Sequence, residues 1–483
     1  MSRLCRESLN GARAPKPQYD RENAAIGIVH LGAGAFFKAH QAVYTDDAMA
    51  KSGGDWGICA VSLNSTRAKE NLAPQDGLYS LKIMGEQPEY RVIGAVKEVL
   101  AGITDRADVI VRIAAHTTRI VTLTITEKGY CLEGGGALDF SHEGISSDLL
   151  GEGLPVTAIG VLTAALAKRF SSGAPSITII SCDNVSENGS KLRRAILQFS
   201  ARKDAKLSAW IEANIVFPNT MVDSITPASD AALLTDVKAA IGLTDKAPVH
   251  RERFTDWVIE DFDGPRPAWD LAGAVFAPDV TPYEQTKLRL VNAPHSALTY
   301  LGLLSGIETV SAAMEDAGLR DYFYALTERE LIASLGASEL IDFPNYRDRI
   351  GARFANKSIR HELFQIATDG SAKLPQRFLP PLEINHQAGR STGYTALAIA
   401  AWMRYVLQTL RAGDILNDPL RDGLAEIAKQ SSGESGDDVR ALLGLGEIFP
   451  QSIAGNEALT AQIIGAYEAL KTGGVAYALS GLK

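Results

Sequence analysis

The sequence predicts an α/β protein whose first part alternates buried strands with helices and whose last part is mainly α-helical. Residues 26–34 (IGIVHLGAG) form a β-branched run that ends in a glycine turn, and the residues after this turn are expected to form a helix. Short apolar runs typical of buried parallel strands recur as far as residue 275. Long stretches with helical periodicity follow. Because 483 residues exceed the usual size of one hydrophobic core, two domains are expected.

Composition excludes several classes of protein. The hydrophobic fraction of 46% and the charged fraction of 22% are ordinary for a globular enzyme. No apolar run reaches membrane-spanning length, so no membrane is expected as a partner. The 48 basic and 57 acidic residues give a net charge of −9, and no basic stripe with interleaved aromatic residues is present. Nucleic acid is therefore not expected as a partner.

The cysteines and the N-terminal residues indicate a cytoplasmic protein. The four cysteines are widely spaced, which predicts neither a disulfide framework nor a zinc cluster. Residues 1–22 are polar and lack the apolar core of a signal peptide, so we expect a loose N-terminal arm. We therefore predict reduced thiols and a site without metal.

The glycine turn is a candidate site for a dinucleotide. Gly32 allows a tight bend, Ala33 lies between the two glycines, and Gly34 lets the backbone approach a pyrophosphate at the start of the next helix. Phe37 stands where a third glycine is usual. A pattern of two glycines is weak evidence, and a plain strand-to-helix turn explains it equally well.

A second strand is predicted at residues 56–63, where a dinucleotide fold places its ribose-binding residue. No acid follows this strand. Asn64 or Ser65 is therefore the expected ribose contact, and Arg67 is placed to meet a 2′-phosphate. The residues themselves leave NAD and NADP both open.

Polar residues follow three further predicted strands. Residues 119–126 end at Thr126 and Glu127, residues 176–182 are followed by Asn184, and residues 215–223 end at Val222 and Asp223. Ligands of open α/β sheets bind at the carboxyl ends of strands. These residues are candidates for ligand contact, although Glu127 is equally well explained as an exposed loop charge.

Residues 286–306 (TKLRLVNAPHSALTYLGLLSG) combine Lys287, Asn292 and His295 with a nearly continuous apolar wall. At about 100° per residue, all three side chains can point from one side of a helix. A lysine desolvated by such a wall can be neutral and act as a base near pH 7. Pro294 is expected to mark a helix start or a kink. The alternative is a surface lysine, a turn asparagine and a core histidine.

The predicted domains are an arm at residues 1–22, an α/β dinucleotide-binding domain at 23–275 and a mainly helical substrate domain at 276–483. Helices are expected at residues 321–335, 358–367, 395–410 and 437–445. Residues 369–377 (DGSAKLPQR) are expected to form a charged loop that either holds an anionic substrate or is solvated.

Several motifs in this order resemble the polyol-specific long-chain dehydrogenases, the mannitol dehydrogenase family. They are GAGAFFKAHQA, which includes Phe36, and LTITEKGYC, SCDNVSENG, FPNTMVD and DVTPYEQTKLRLVNAPHSALTYLG. The resemblance covers nearly the whole chain. It implies a Rossmann-like N-terminal domain, a mainly α-helical C-terminal domain, NAD as cofactor and no metal. Ala293 and Pro294 replace the usual Gly-Ser of the family.

The resemblance also implies roles for individual residues. Lys287 matches the general base, Asn184 and Asn292 match the amides that stabilise an alkoxide, and His295 matches a substrate-orienting group. The cofactor would contact the residues Gly32, Ala33, Gly34, Phe36, Asn64, Thr126, Glu127 and Val222. The substrate would contact Asp223 and Lys373.

Within the family, FQIATDGSAKLPQR (residues 364–377) and three other runs look most like fructuronate reductases, which interconvert D-fructuronate and D-mannonate. Gln365 stands where mannitol enzymes tend to carry arginine. Arg377 is the candidate partner of a sugar-acid carboxylate, because a guanidinium pairs with a carboxylate in bidentate fashion. The expected substrate is a sugar acid or a polyol. The protein is expected to be a monomer or a small homo-oligomer. Mannitol 2-dehydrogenase, tagaturonate reductase and a non-catalytic dinucleotide sensor are the alternatives.

Overall fold

The computed structural model describes residues 2–151 and 153–482, and the chain divides into two compact units, Met1–Thr281 and Pro282–Lys483. The strands all lie in the first unit: β1 Ile26–Leu31, β2 Gly57–Ser62, β3 Tyr79–Ile83, β4 Glu89–Ile93, β5 Val96–Ala101, β6 Ile120–Leu123, β7 Thr178–Ser181, β8 Thr220–Asp223, β9 Val249–Arg251, β10 Asp256–Glu260 and β11 Val275–Ala277. Its α-helices are α1 Ala35–Ala39, α2 Gln41–Ser52, α3 Arg67–Leu72, α4 Arg106–Ala114, α5 Glu143–Leu150, α6 Ala158–Ser172, α7 Asn188–Lys203, α8 Ala205–Asn214 and α9 Ala231–Ile241.

A five-stranded parallel sheet in the order β5-β2-β1-β6-β7 organises the first unit. Successive residues of its strands alternate between two cores: Ile28 and Ile58 pack on one face, and Val29 and Cys59 on the other. Burial on both faces explains the nearly continuous apolar runs. The predicted Rossmann-like fold is confirmed. The sequence analysis missed the edge strand β5, because two adjacent charged residues interrupt its apolar run.

Two three-stranded sheets complete the first unit. In the first of them β3 and β4 pair antiparallel as a hairpin, and β9 pairs parallel with β3. The other small sheet has the order β11-β10-β8, so β8 lies outside the parallel sheet. This sheet pairs Val222 with Trp257 and Asp223 with Asp256.

The prediction of a loose N-terminal arm is wrong, because the arm is tied down by backbone hydrogen bonds and by apolar packing. The Leu4 N–H donates to Thr244 O at 2.8 Å and the Arg13 N–H to Ile241 O at 3.0 Å. Leu4 is fully buried in a core that also contains Ala12 and several residues of α9. Leu4 and Ala12, apolar residues in a mostly polar stretch, therefore anchor this segment.

The second unit is helical. Its α-helices are α10 Thr281–Lys287, α11 Ala293–Leu304, α12 Val310–Glu315, α13 Ala317–Leu326, α14 Ile332–Leu335, α15 Phe343–Phe354, α16 Leu363–Ile366, α17 Gly370–Arg377, α18 Leu379–Gln387, α19 Gly393–Arg411, α20 Arg421–Gln430, α21 Ser435–Leu443, α22 Gln451–Ala454 and α23 Glu457–Ser480, the last broken at Gly474. Two π-helical segments, Leu288–Asn292 and Thr327–Leu331, interrupt the α-helical runs. None of the described helices combines the length and apolarity that crossing a membrane requires.

Two predictions in the second unit are wrong. The helix expected at residues 358–367 is reduced to the single turn of α16. The loop expected at residues 369–377 is the helix α17, although it starts with a glycine and contains Pro375. Asp418 stabilises its first turn, accepting from the Ser371 N–H at 2.9 Å and from the Ser371 hydroxyl at 2.5 Å. This partner lies 47 residues away, where local sequence does not reveal it.

Candidate active site

The two glycines of the turn after β1 differ in what surrounds them. Gly32 has φ +105°, and a Cβ atom there would lie 2.0 Å from the Thr124 carbonyl oxygen. Only glycine fits such a position. Gly34 is exposed, and a Cβ atom there would meet nothing closer than 3.8 Å. Gly32 therefore closes the turn, and Gly34 leaves the space beside it free of side chains.

Aromatic rings fix the helix that follows the turn. Phe37, at the position of the usual third glycine, is fully buried and stacks on the His30 ring with centroids 3.7 Å apart. Phe36 is half-buried and stacks on the His40 ring at 4.9 Å. In place of a glycine that permits close packing, this chain uses an aromatic pair between helix and strand.

The buried side chain of His30 is hydrogen-bonded to the turn after β1, a role that the sequence analysis missed. The His30 Nδ1 atom hydrogen-bonds the Thr122 hydroxyl at 2.8 Å, and Nε2 lies 3.1 Å from Gly32 O and 2.9 Å from the Thr124 hydroxyl. Burial lowers the pKa of His30 to about 3, so the ring is neutral at pH 7. The sequence did contain an indication of this role, because His30 is a polar residue within an apolar strand, one residue before its end.

Because the pKa of His30 is depressed on folding, stability should fall as the pH is lowered. The unfolded state takes up a proton near pH 6.5 while the folded state does not, so about 2 kcal/mol of unfolding free energy should be lost between about pH 7 and pH 5. Urea unfolding of wild type and His30→Gln at the two pH values measures this. The variant should lose about 2 kcal/mol less than wild type over this range, and His116→Gln, an exposed histidine of the same unit, is the control. Equal pH slopes in wild type and His30→Gln would contradict the assignment.

Residues that follow β2 are exposed and uncharged, and basic residues come after them. The strand ends at Ser62, and Asn64 and Ser65 are exposed. Arg67 begins α3 and is also exposed. The carboxylates of this region are engaged: Glu70 accepts from the Thr66 hydroxyl at 2.6 Å, and Asp105 pairs with Lys69 at 2.6 Å.

The loop after β6 is held by a carboxylate from the neighbouring strand end. Asp183 accepts from the Ile125 N–H at 3.1 Å, from the Thr126 N–H at 2.7 Å and from the Tyr130 hydroxyl at 2.8 Å. Burial raises the pKa of Asp183, and these hydrogen bonds partly offset the rise. Thr126 has φ +66°, and both Thr126 and Glu127 are exposed at the carboxyl end of the sheet. Asp183 lies two residues after the end of β7. Its local sequence did not reveal its hydrogen bonds to the loop after β6.

A buried amide connects the end of β7 to β8. The Asn188 side-chain amide donates to Asp183 O at 2.9 Å and to Thr220 O at 3.0 Å, and the Thr220 N–H donates back to Asn188 Oδ1 at 2.9 Å. Asn184 is exposed next to this junction. Val222 and Asp223 are 4% and 8% exposed at the end of β8. In the first unit the predicted ligand contacts therefore follow β1, β2, β6 and β7 or lie at the end of β8.

The predicted catalytic helix of the second unit is not a regular α-helix. Lys287 is the last residue of α10, Asn292 is the last residue of the π segment, and His295 lies in the first turn of α11. The step of 100° per residue does not apply across a π turn, whose hydrogen bonds span five residues. Pro294 lies at the start of α11, as predicted. Lys287 is 7% exposed, so it is a buried lysine and not a surface one.

His295 lies in a positively charged pocket. Its ring centroid is 4.8 Å from that of His361 and 5.0 Å from that of Phe354, and its buried Nε2 atom has no hydrogen-bond partner among the described residues. Burial lowers the pKa of His295 well below its usual value, and His361, Arg377, Arg353 and Lys373 lower it further. His361 was not identified from the sequence.

Two cations of α17 contribute to this pocket. The Lys373 ammonium donates to Ile366 O at 3.2 Å and to Thr368 O at 2.5 Å. One Arg377 nitrogen, Nη1, donates to Asn292 O at 3.1 Å and to the Ser296 hydroxyl at 2.6 Å. Burial lowers the pKa of both groups, that of Arg377 to about 10. Across residues 2–151 and 153–482, neither side chain forms an ion pair.

The described residues contain no group of three or more histidine, cysteine or acidic side chains that could hold a metal ion. All four cysteines are free.

Known proteins resemble both units. Residues 26–271 match the mannitol dehydrogenase Rossmann domain, and residues 279–471 match the mannitol dehydrogenase C-terminal domain. The D-mannonate oxidoreductase of Escherichia coli K12 is 40% identical over 94% of this chain and 95% of its own length. A mannitol 2-dehydrogenase of Cereibacter sphaeroides is 34% identical over 94% and 96%. The Pseudomonas fluorescens mannitol 2-dehydrogenase, solved as a ternary complex with NAD and D-mannitol, is 35% identical, with a TM-score of 0.85 over 99% of both chains.

Proposed function

This chain belongs to the mannitol dehydrogenase family, and we propose that it is an NAD-dependent oxidoreductase that interconverts D-mannonate and D-fructuronate. The family and its oxidoreductase chemistry are given by the matches to both domains. The choice of a sugar acid over a neutral polyol is supported by one observation, which is the pair of desolvated cations Lys373 and Arg377.

A buried cation is costly unless a negative charge accompanies it. Lys373 and Arg377 donate to neutral oxygen atoms, and Arg377 has further N–H groups beyond the Nη1 atom used for these bonds. Asp369 and Asp418 partly compensate the charge of Lys373, but no carboxylate of the described residues does so for Arg377. A carboxylate on the substrate would supply the missing counter-charge, and a neutral ketose would not.

The turn at Gly32, Ala33 and Gly34 fits a dinucleotide, because a Cβ atom built at Gly34 would meet nothing closer than 3.8 Å. Phe36, Asn64, Thr126, Glu127 and Val222 are proposed to complete the cofactor contacts. When bound, the nicotinamide accepts or supplies the hydride. NAD is favoured over NADP by the relative solved with NAD, while the uncharged residues after β2 permit either cofactor.

The proposed mechanism assigns acid–base and hydrogen-bonding roles to this chain's own residues. In the oxidative direction, neutral Lys287 takes the proton of the substrate hydroxyl. Asn184 and Asn292 donate hydrogen bonds to the developing alkoxide. Neutral His295 and Asp223 orient the substrate. Cytoplasmic location, in which the free cysteines stay reduced, is part of the proposal.

The deciding experiment compares NADH oxidation with D-fructuronate, D-tagaturonate and D-fructose as substrates. We expect kcat/KM for fructuronate to exceed that for fructose by roughly ten-fold or more. The reverse ranking would place the enzyme with mannitol 2-dehydrogenases, and a preference for tagaturonate would change the sugar acid but keep the role of the cations. Repeating the assay with NADPH tests the cofactor. NADH binding without turnover of any sugar would indicate a sensor.

A further inference from the structure

The π segment at Leu288–Asn292 is the turn that separates the proposed base from the proposed alkoxide donor. Its wide hydrogen bond is present, since the Ala293 N–H donates to Leu288 O, five residues earlier. In a regular α-helix, residue 294 would donate to the carbonyl of residue 290, but Pro294 has no N–H. The sequence thus disfavours a regular helix here, and single π turns are frequent at functional sites.

Two arginines join this turn to the end of α17 in opposite directions. The Arg289 Nη1 atom, from the π segment, donates to Gln376 O at 3.3 Å. The Arg377 Nη1 atom, from α17, donates to Asn292 O at 3.1 Å. Each element therefore holds a carbonyl oxygen of the other. We call this pair of interactions the arginine clasp.

Arg289 is buried, which is unusual for an arginine that has only a structural role. It is 8% exposed, its Nε atom is buried without a hydrogen-bond partner, and it forms no ion pair among the described residues. Burial lowers the pKa of Arg289 to about 10. A buried guanidinium bound by one carbonyl contributes little to stability on balance. Its contact does, however, fix the position of the turn relative to α17.

We propose that Arg289 is a positioning residue of the reaction, which acts through the arginine clasp by holding the π turn that carries Lys287 and Asn292. This inference rests on the roles proposed for those two residues. A catalytic group displaced by about 1 Å can lower a rate by about 10²-fold. Arg289 contacts neither substrate nor cofactor in this scheme, so it should influence kcat and leave the binding of either little changed.

The test compares Arg289→Gln and Arg289→Lys with wild type in the full-length protein. Arg289→Gln should lower kcat by about 10²-fold, with KM for NADH and for the sugar substrate within about three-fold of wild type. Arg289→Lys retains one donor for Gln376 O and should recover part of kcat. The pH profile of kcat should change in Arg289→Gln, because the surroundings of the proposed base change. Arg329→Gln, at an exposed arginine of the other π segment, is the matched control and should behave as wild type.

Hydrogen exchange provides a readout that does not depend on the substrate. Peptides covering residues 288–296 should exchange faster in Arg289→Gln, and peptides of the five-stranded sheet should not change. If that change occurs without a fall in kcat on whichever substrate the enzyme turns over, the positioning role is overturned while the proposed reaction stands. An unchanged kcat and pH profile, or a loss of kcat that only follows loss of folded protein in thermal melts, would also overturn it.

Discussion

Replacing Lys287 by alanine is expected to lower kcat by about 10²- to 10⁴-fold, the range that a positioned general base contributes. Lys287 is 7% exposed at the end of α10, directly before the π turn, so bulk water is poorly placed to substitute for its amine. The measurement is steady-state NADH oxidation over about pH 7 to 9, together with NADH binding followed by fluorescence. Binding should be retained, because the proposed cofactor contacts all belong to the first unit.

The matched control is Lys429→Ala, which removes a lysine of the same unit whose side chain is 75% exposed. Added small primary amines should restore part of the activity of Lys287→Ala and have no effect on the control. Near-native turnover of Lys287→Ala, or an equal loss in Lys429→Ala, would exclude a lysine base at this position.

Replacing Arg377 by methionine is expected to change substrate preference. Loss of a charge-assisted, bidentate interaction should lower kcat/KM for fructuronate by about 10²-fold relative to fructose. Arg377 also holds Asn292 O, so both substrates should share an additional common decrease. The ratio of the two kcat/KM values isolates recognition of the carboxylate from the position of the turn.

Two variants sharpen this test. Ser296→Ala removes one of the two neutral partners of Arg377. The charge of Arg377 is kept, so the ratio should be unchanged. Arg360→Met removes an arginine whose side chain is 73% exposed and controls for the loss of one positive charge in the unit. An unchanged ratio in Arg377→Met would mean that Arg377 serves only the clasp, and the sugar-acid assignment would then lack its main support.

The fold was predictable where local pattern and tertiary environment agree. Apolar strands buried on both faces, such as the one beginning at Ile26, are recognisable from the sequence because burial on both sides leaves no polar positions. Edge strand β5 and helix α17 were missed because their local sequences are not typical of a strand and of a helix. Helix α17 begins with a glycine and contains Pro375, and Asp418, a distant residue, stabilises its first turn.

For the candidate site, the sequence supplied candidate residues and not their geometry. The sequence placed Lys287, Asn292 and His295 in one apolar segment, and the structure shows that a π turn lies between the first two. Periodicity assumes a constant helical step, so it does not reveal such a turn. His30, with partners on the neighbouring strand, was missed because these long-range contacts leave no local signature.

The three hydrogen bonds that Asp183 accepts also bear on the thermodynamics of ligand binding. Ordering a residue's backbone costs about 1 to 2 kcal/mol, and a loop that becomes ordered only around a ligand must meet that cost from the binding energy. The Asp183 carboxylate holds the backbone of Ile125 and Thr126 in the folded chain before any ligand binds. This part of the sheet edge is thus pre-organised, and a dinucleotide arriving there would encounter a rigid template with little entropy left to lose.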